Sequence, residues 1–254
     1  MKYSLLTYNI AGYEIIHEIP AECINPEIEY LYITDDHSIT SNTWTVIYDD
    51  ELTGSTFDKC YQIRFNPFKY AHTDVVMRID GSMAINKDVM PLFKVFESTD
   101  ADCMMMVHPT RNTMYEEYKV WCQMRNYPVG QANKCLSFMA SNGYDVVNYK
   151  GLFQYNFCIQ RNNDIINRLN KETYDVLKGL ATEPDTCERI DQTIGSFIIN
   201  THYPTLKIFP TAQFICFNHY FNWCSHGTNN VMHYDSRNDI TPYVGNRMVQ
   251  IMYV

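Results

Sequence analysis

Asp80 and Gly81 close the run Thr73-Asp74-Val75-Val76-Met77-Arg78-Ile79, and a carboxylate in that place can do chemistry. Residues 75 to 79 are β-branched and apolar enough to read as a buried strand. Open α/β sheets bind ligands beyond the carboxyl ends of their strands, so an acid followed at once by Gly falls where a substrate would sit. A carboxylate buried there must be paired, hydrogen-bonded or metal-bound. Other inferred strands end in polar residues too: Asn9, Asp35, Asp36 and His108. In a parallel sheet such ends open on one edge and can converge. With Arg64, Lys69, Arg78 and Arg111 near them in sequence, these groups suit a diphosphate. A hard ion such as Mn²⁺ or Mg²⁺ binds carboxylate and phosphate oxygens together and acts as a Lewis acid on a departing nucleoside diphosphate.

Each residue has a second reading. An Asp-Gly pair is also a turn, and Asp35-Asp36 also ends a strand and caps the segment after it. His72 and His108 are also ordinary surface or core histidines. Glu116 and Glu117 fit a helix N-terminus, where negative charge is favourable. Arg189-Ile190-Asp191-Gln192 reads equally as a plain helix start. His219, His226 and His233 face one another on no evident helix, although one could reach a metal from the tail.

The elements that must position these groups alternate along the chain. Tyr3 to Tyr8, Glu29 to Thr34, Thr43 to Tyr48, Thr73 to Ile79, Asp102 to Val107 and Tyr155 to Gln160 read as strands. Ser55 to Phe65 reads as a helix stopped by Pro67. Asp88 suits the N-cap of a short helix through Phe96, and Thr113-Met114-Tyr115-Glu116 has the form of a capping box. Helices are expected over Gln131 to Asn142, Asp164 to Leu177 and Asp191 to Ile199. The last forty residues read as an ordered, loop-rich tail folding over the core. Strands alternating with helices of this length predict a mostly parallel sheet with covered faces.

Bulk properties bound the function. The 254 residues carry a net charge of −9, which argues against a nucleic-acid surface. Nine cysteines include no CxxC pair, and Cys216, Cys224 and His226 match no zinc-site spacing, so reduced thiols are expected. No apolar run approaches the roughly 20 residues of a membrane span, which predicts a soluble, cytoplasmic protein. Twenty tyrosines offer flat apolar faces with hydroxyls, suited to sugars and bases. GxGxxG, GxxxxGK[ST], GxSxG and HExxH are all absent.

An ordered series of segments resembles a known family. It comprises Tyr32-Ile33-Thr34-Asp35-Asp36 with Trp44; Phe68-Lys69-Tyr70-Ala71-His72; Met77-Arg78-Ile79-Asp80-Gly81-Ser82-Met83; His108-Pro109-Thr110-Arg111 with Glu116-Glu117; and Arg189-Ile190-Asp191-Gln192. Over residues 3 to 200 the chain is similar to the glycosyltransferase-like proteins labelled domain of unknown function 616, which include plant enzymes implicated in mucilage polysaccharide synthesis. Arg78 stands where that family usually has an aromatic, and Ile190 splits its Arg-Asp-Gln element.

The resemblance implies a GT-A-like, Rossmann-type α/β fold in a single domain over residues 1–254. Residues 1–110 would form the nucleotide-binding half, 111–210 the acceptor side and 211–254 the tail. It implies donor contacts from Thr7, Tyr8, Asn9, Gly12, Thr34, Asp35, Arg64, Lys69, His72, Arg78 and Gly81, and acceptor contacts from His108, Arg111, Glu117 and Gln192. Asp80 takes the place of the metal-binding acid motif, with Arg78 in place of the first acid and able to meet the diphosphate directly. Asp191 resembles the acceptor-side base of inverting enzymes, or caps its helix. The metal would be Mn²⁺ or Mg²⁺ on Asp80, with His219 a further candidate ligand. The implied activity is transfer of a sugar from a nucleoside-diphosphate donor to a surface-glycan or lipid-linked acceptor, with at most peripheral membrane contact. The missing acid and the many tyrosines leave open a non-catalytic glycan- or nucleotide-binding protein. A hydrolase of a lipid or phosphoester also stays open.

Overall fold

The β-rich, apolar runs of the first half form the centre of a sheet. In the computed structural model, which describes residues 1–124, 129–180, 190–211, 219–232 and the strands Tyr243–Val244 and Arg247–Met248, the strands are β1 (Tyr3–Asn9), β2 (Ile28–Thr34), β3 (Thr45–Tyr48), β4 (Val75–Ile79), β5 (Met83–Ile85), β6 (Cys103–Val107), β7 (Phe153–Arg161), β8 (Ile208–Thr211) and β9 (Phe221–Trp223). Among the described residues seven of them make one sheet in the order β3-β2-β1-β4-β7-β6-β8. β1, β2, β3 and β4 are parallel, as are β6 and β8, while β7 runs antiparallel to both neighbours. The expected mostly parallel α/β sheet is what the chain forms.

Burial follows from strand alternation. Leu5, Tyr32, Met77 and Ile79 face one core with Phe93, Phe96 and Phe221. Leu6, Tyr8, Ile33 and Val76 face the other side, where Ile63 packs. Helices cover both faces: α1 (Thr56–Arg64), α2 (Met90–Glu97), α3 (Met114–Met124), α4 (Val129–Ser141), α5 (Asp164–Leu180) and α6 (Asp191–His202). Phe93 and Phe96 of α2 lie in the first core; Met139, Leu169 and Phe197 of α4, α5 and α6 lie in a third cluster on the second face. β1 and β4 are buried throughout, as parallel strands covered on both sides must be.

Local signals behave as their chemistry dictates. Glu116 Oε2 accepts from the Asn112 and Thr113 amides while Thr113 Oγ1 accepts from the Glu116 amide, the reciprocal arrangement of a capping box. Ser55 caps α1 by accepting from Asp58 N. Asp88 stands one residue ahead of the N-cap of α2, Val89, yet its Oδ1 still accepts from Met90 N. The seven cysteines among the described residues are free thiols; Cys187 and Cys216 lie outside that set. Among the described residues no helix is long and apolar enough to cross a membrane.

Three of the strands β1 to β9 were not expected, and neither was the tail pair Tyr243–Val244 and Arg247–Met248. β8 adds to the sheet edge beside β6, and β9, within the tail, pairs antiparallel with the equally short β5. All are brief and lack the alternation that marks a strand in sequence; their partners define them.

Candidate functional site

The sheet order itself selects a place. From β1 the chain moves outward to β2 and β3, then returns to β4 on the other side of β1. The strand order thus reverses between β1 and β4, and the crevice beyond their carboxyl ends is where doubly wound sheets take ligands. Asp80 and Gly81 follow β4 there, and Asn9 ends β1.

Gly81 is required by close approach. A Cβ on it would lie 2.8 Å from the Tyr8 carbonyl oxygen and 3.0 Å from Glu14 Cγ. The loop after β1 turns sharply: Ala11 and Gly12 both have positive φ, 56° and 66°, and Tyr13 N donates to Ile10 O, which makes a type I′ turn. The Asn9 side chain clips this loop shut, accepting from Glu14 N at 2.9 Å and donating to Glu14 O at 2.6 Å. Its amide is therefore taken up within the chain.

Asp80 heads a compact charge cluster. The largely buried Arg64, at the end of α1, donates from Nη2 to Asp80 Oδ1 at 2.8 Å, from Nη1 to Asp191 Oδ2, and from Nε to the Tyr8 hydroxyl at 2.8 Å. Arg78, buried on β4, donates from Nη2 to the Tyr155 carbonyl at 2.6 Å, and its Nη1 lies 3.6 Å from the same Asp80 oxygen. That Nη1 is buried without a hydrogen-bond partner. Two guanidiniums and two carboxylates leave the cluster without net charge. The Asp80 side chain is 30% exposed and that of Asp191 only 5%. Asp80 Oδ2 makes no hydrogen bond among the described residues, so it is the open oxygen of the group. Burial pushes the Tyr8 phenol well above its usual range, which keeps it neutral.

A second cluster adjoins the first through consecutive residues of α6. Gln192 donates to Glu117 Oε1 at 3.1 Å, and Arg111 Nε donates to Glu117 Oε2. His108 Nε2 lies 2.6 Å from Arg111 Nη2, and its Nδ1 faces the Thr110 and Arg111 amides at 3.3 and 3.2 Å. Both ring nitrogens face donors. Burial, and then the Arg111 charge, hold His108 well below its usual 6.5. Burial pushes the Glu117 carboxyl up, against the opposing pull of Arg111.

The remaining expected contacts are distributed more widely. Asp35 accepts from Ala11 N and Lys59 Nζ, tying the ends of β1 and β2; burial alone would raise its carboxyl, but these hydrogen bonds bring it below the usual range. Thr34 accepts from Asp36 N in its own turn, and the buried Thr7 hydroxyl has no partner. Gly12 is exposed in the turn after β1. Lys69 is held by Asp49 and Glu51, beyond the end of β3. His72 is exposed ahead of β4, at the strand end opposite Asp80, and is not brought to the site. His219 lines a different cleft, with Glu22, Lys87 and Asp88. Arg189 and His233 lie outside the described residues.

Among the described residues the expected divalent ion finds no fitting donor set. Among the described residues no group of three or more His, Cys, Asp or Glu side chains is arranged to hold a metal. Around Asp80 the nearest charged neighbours are guanidiniums, which repel a cation.

The sequence reading laid the tail over the core but did not single out the segment within it that straps the site. Cys224 pairs with Val231, and Ser225 N donates to Asn230 O, forming a hairpin. Trp223 Nε1 donates to Ser82 Oγ at 3.0 Å and Cys224 N to Ser82 O at 2.8 Å. At the hairpin tip, Glu14 takes His226 Nδ1 at 2.5 Å and Gly227 N at 2.9 Å. The hairpin thus joins the loops after β1 and β4. Its only sequence signal is a Gly227 that can take the positive φ of a turn, 67°.

This is a doubly wound α/β chain with an acid at its topological switch point. No family model and no curated protein matches it. Among solved structures it is similar to mouse xyloside xylosyltransferase 1 in its apo form, at 10% identity and a TM-score of 0.46, over 82% of this chain and 85% of that one. At that level of likeness no residue's role passes between the two chains.

Proposed function

We propose that the chain is a glycosyltransferase that moves a sugar from a nucleoside-diphosphate donor to a surface-glycan or lipid-linked acceptor. The observation that carries this reading is Asp80 at the switch point, with Oδ1 anchored by Arg64, Arg78 3.6 Å away, and Oδ2 open. The ordered resemblance of the surrounding segments supports it. Residues 1–110 form the donor half in this reading and residues 111–210 the acceptor side.

In the reaction the bond from the anomeric carbon to the diphosphate oxygen breaks, its electron pair leaves with the diphosphate, and the acceptor oxygen takes its place. The acceptor hydroxyl's proton passes to the departing diphosphate or to water. Asp80 orients the transferred sugar by accepting a hydrogen bond from one of its hydroxyls at Oδ2. Asp191, which the resemblance implies is a base, instead anchors Arg64, because its carboxylate is buried and already bound by that guanidinium. Glu117, Arg111 and Gln192 brace α6 from the acceptor side.

The test is transfer from a panel of nucleoside-diphosphate sugars to glycan and lipid-linked acceptors, by the native chain and by Asp80→Asn. Loss of an orienting carboxylate should cost on the order of a hundredfold in rate. Full activity in a folded Asp80→Asn variant removes Asp80 from the reaction. Saturable ligand binding with no turnover of any donor would support the binding-protein alternative, which the charge-balanced cluster also suits.

A further inference from the structure

Taking the donor reading above as its basis, we propose that this site holds the donor's diphosphate through the guanidiniums of Arg78 and Arg64, without a divalent cation. The first argument is charge. Each of the two carboxylates at the switch point is already matched by a guanidinium, and Arg64 touches both. Among the described residues an arriving cation therefore meets two positive groups and no unmatched acid at the switch point.

The second argument is valence. Arg78 Nη1 is a buried donor without an acceptor, on a side chain only 5% exposed. An orphaned donor is costly to keep. An anionic oxygen satisfies it and a metal ion cannot. The nearest acceptor, Asp80 Oδ1, lies 3.6 Å from Nη1, beyond hydrogen-bond reach, so a phosphate oxygen can take that donor while Arg64 still holds Oδ1. Arg64 is fixed by three of its five N–H groups, which go to Tyr8, Asp80 and Asp191, and has two left for the anion. Guanidinium forks suit phosphate oxygens by geometry.

Two variants, one at each side of this contact, separate the inference from metal binding, and Asp80→Asn does so by sign. A metal site loses its ligand in Asp80→Asn and binds diphosphate less well. A guanidinium site loses a competing acceptor and a repelling charge, and binds it as well or better.

The experiment is calorimetric titration of the full chain with uridine, guanosine, adenosine and cytidine diphosphates, in excess EDTA and again with Mn²⁺ or Mg²⁺. One diphosphate should bind in EDTA with an affinity within about threefold of its metal-replete value. Arg78→Gln should weaken it about tenfold or more, as loss of a charge-assisted hydrogen bond does. Asp80→Asn should hold or tighten it, and this variant decides the matter if Arg78→Gln melts early. Binding that appears only with the metal, or that Asp80→Asn abolishes, overturns the inference and leaves the donor reading standing. Binding in no arm overturns the donor reading, and the inference with it.

Discussion

Replacing Arg64 by Met tests whether the charge cluster is a structural knot. The guanidinium serves two carboxylates and one phenol, but the three partners do not depend on it equally. Asp80 is 30% exposed and keeps Arg78 nearby, so water and a second cation replace part of what it loses. The neutral Tyr8 hydroxyl loses a donor but is left with no charge to compensate. The Asp191 side chain, at 5% exposure, is left as an uncompensated buried charge. Breaking a buried pair by removing one partner costs about 3–5 kcal/mol. For a domain of this size each kcal/mol moves the melting temperature by roughly 2–4 °C, so a fall on the order of 6–20 °C is expected. The cost belongs to the orphaned charge and not to a missing attraction, because apolar replacement of both partners is often neutral. Arg64→Met combined with Asp191→Leu should therefore recover most of the loss. Urea unfolding watched by circular dichroism measures all three chains. A single-variant loss below about 1 kcal/mol, the range of a surface pair, would refute the reasoning. So would a double variant no more stable than Arg64→Met alone.

Three further outcomes rest on the same geometry. Gly81→Ala places a methyl 2.8 Å from the Tyr8 carbonyl and should cost about 1–3 kcal/mol in thermal melts; a neutral result would mean that the β1 and β4 loops separate freely. His108 is neutral when folded but gains a proton below about pH 6.5 when unfolded, so the unfolded chain binds more protons and stability falls on acidification by up to about 1.4 kcal/mol per pH unit. His108→Gln should flatten that part of the stability–pH curve, and an unchanged slope would show that another group supplies it. Glu14→Ala removes the acceptor for His226 and the Gly227 amide, so limited proteolysis should cut faster within residues 225–230 while the sheet stays intact; unchanged cleavage would show that Ser82 alone holds the hairpin.

What could be seen in the sequence was local. Thr113 and Glu116 complete their hydrogen bonds within four residues, so the capping box was legible, and the Val75–Ile79 run carries its own β-branched signature. Placing Asp80 beyond β4 needed only that strand and the Gly after it. The partners of Asp80 were another matter. Arg64 meets Asp191 across 127 residues of chain, and nothing in either segment marks the contact. Asp191 read as a base because of its place in an ordered series, whereas its burial beside Arg64 depends on how α1 and α6 dock. His72 lay close to the strand in sequence but enters it at the wrong end. β8 and β9 have three or four residues each, too few to show a period, and exist because β6 and β5 present open edges.

The strap across the switch point also sets a clock on the chain's birth. Glu14 and His226 are 212 residues apart, and synthesis at about 5–20 residues per second separates their emergence by roughly 10–40 s. Through that interval β1 to β4 can pair and bury their apolar sides, while the two loops that border the crevice have nothing to join them. The crevice is thus finished by one of the last described segments to leave the ribosome. A chain cut short before residue 219 would keep every strand of the main sheet and still lack the clasp over its own crevice. The scaffold can stand early, but the crevice closes only when the tail arrives.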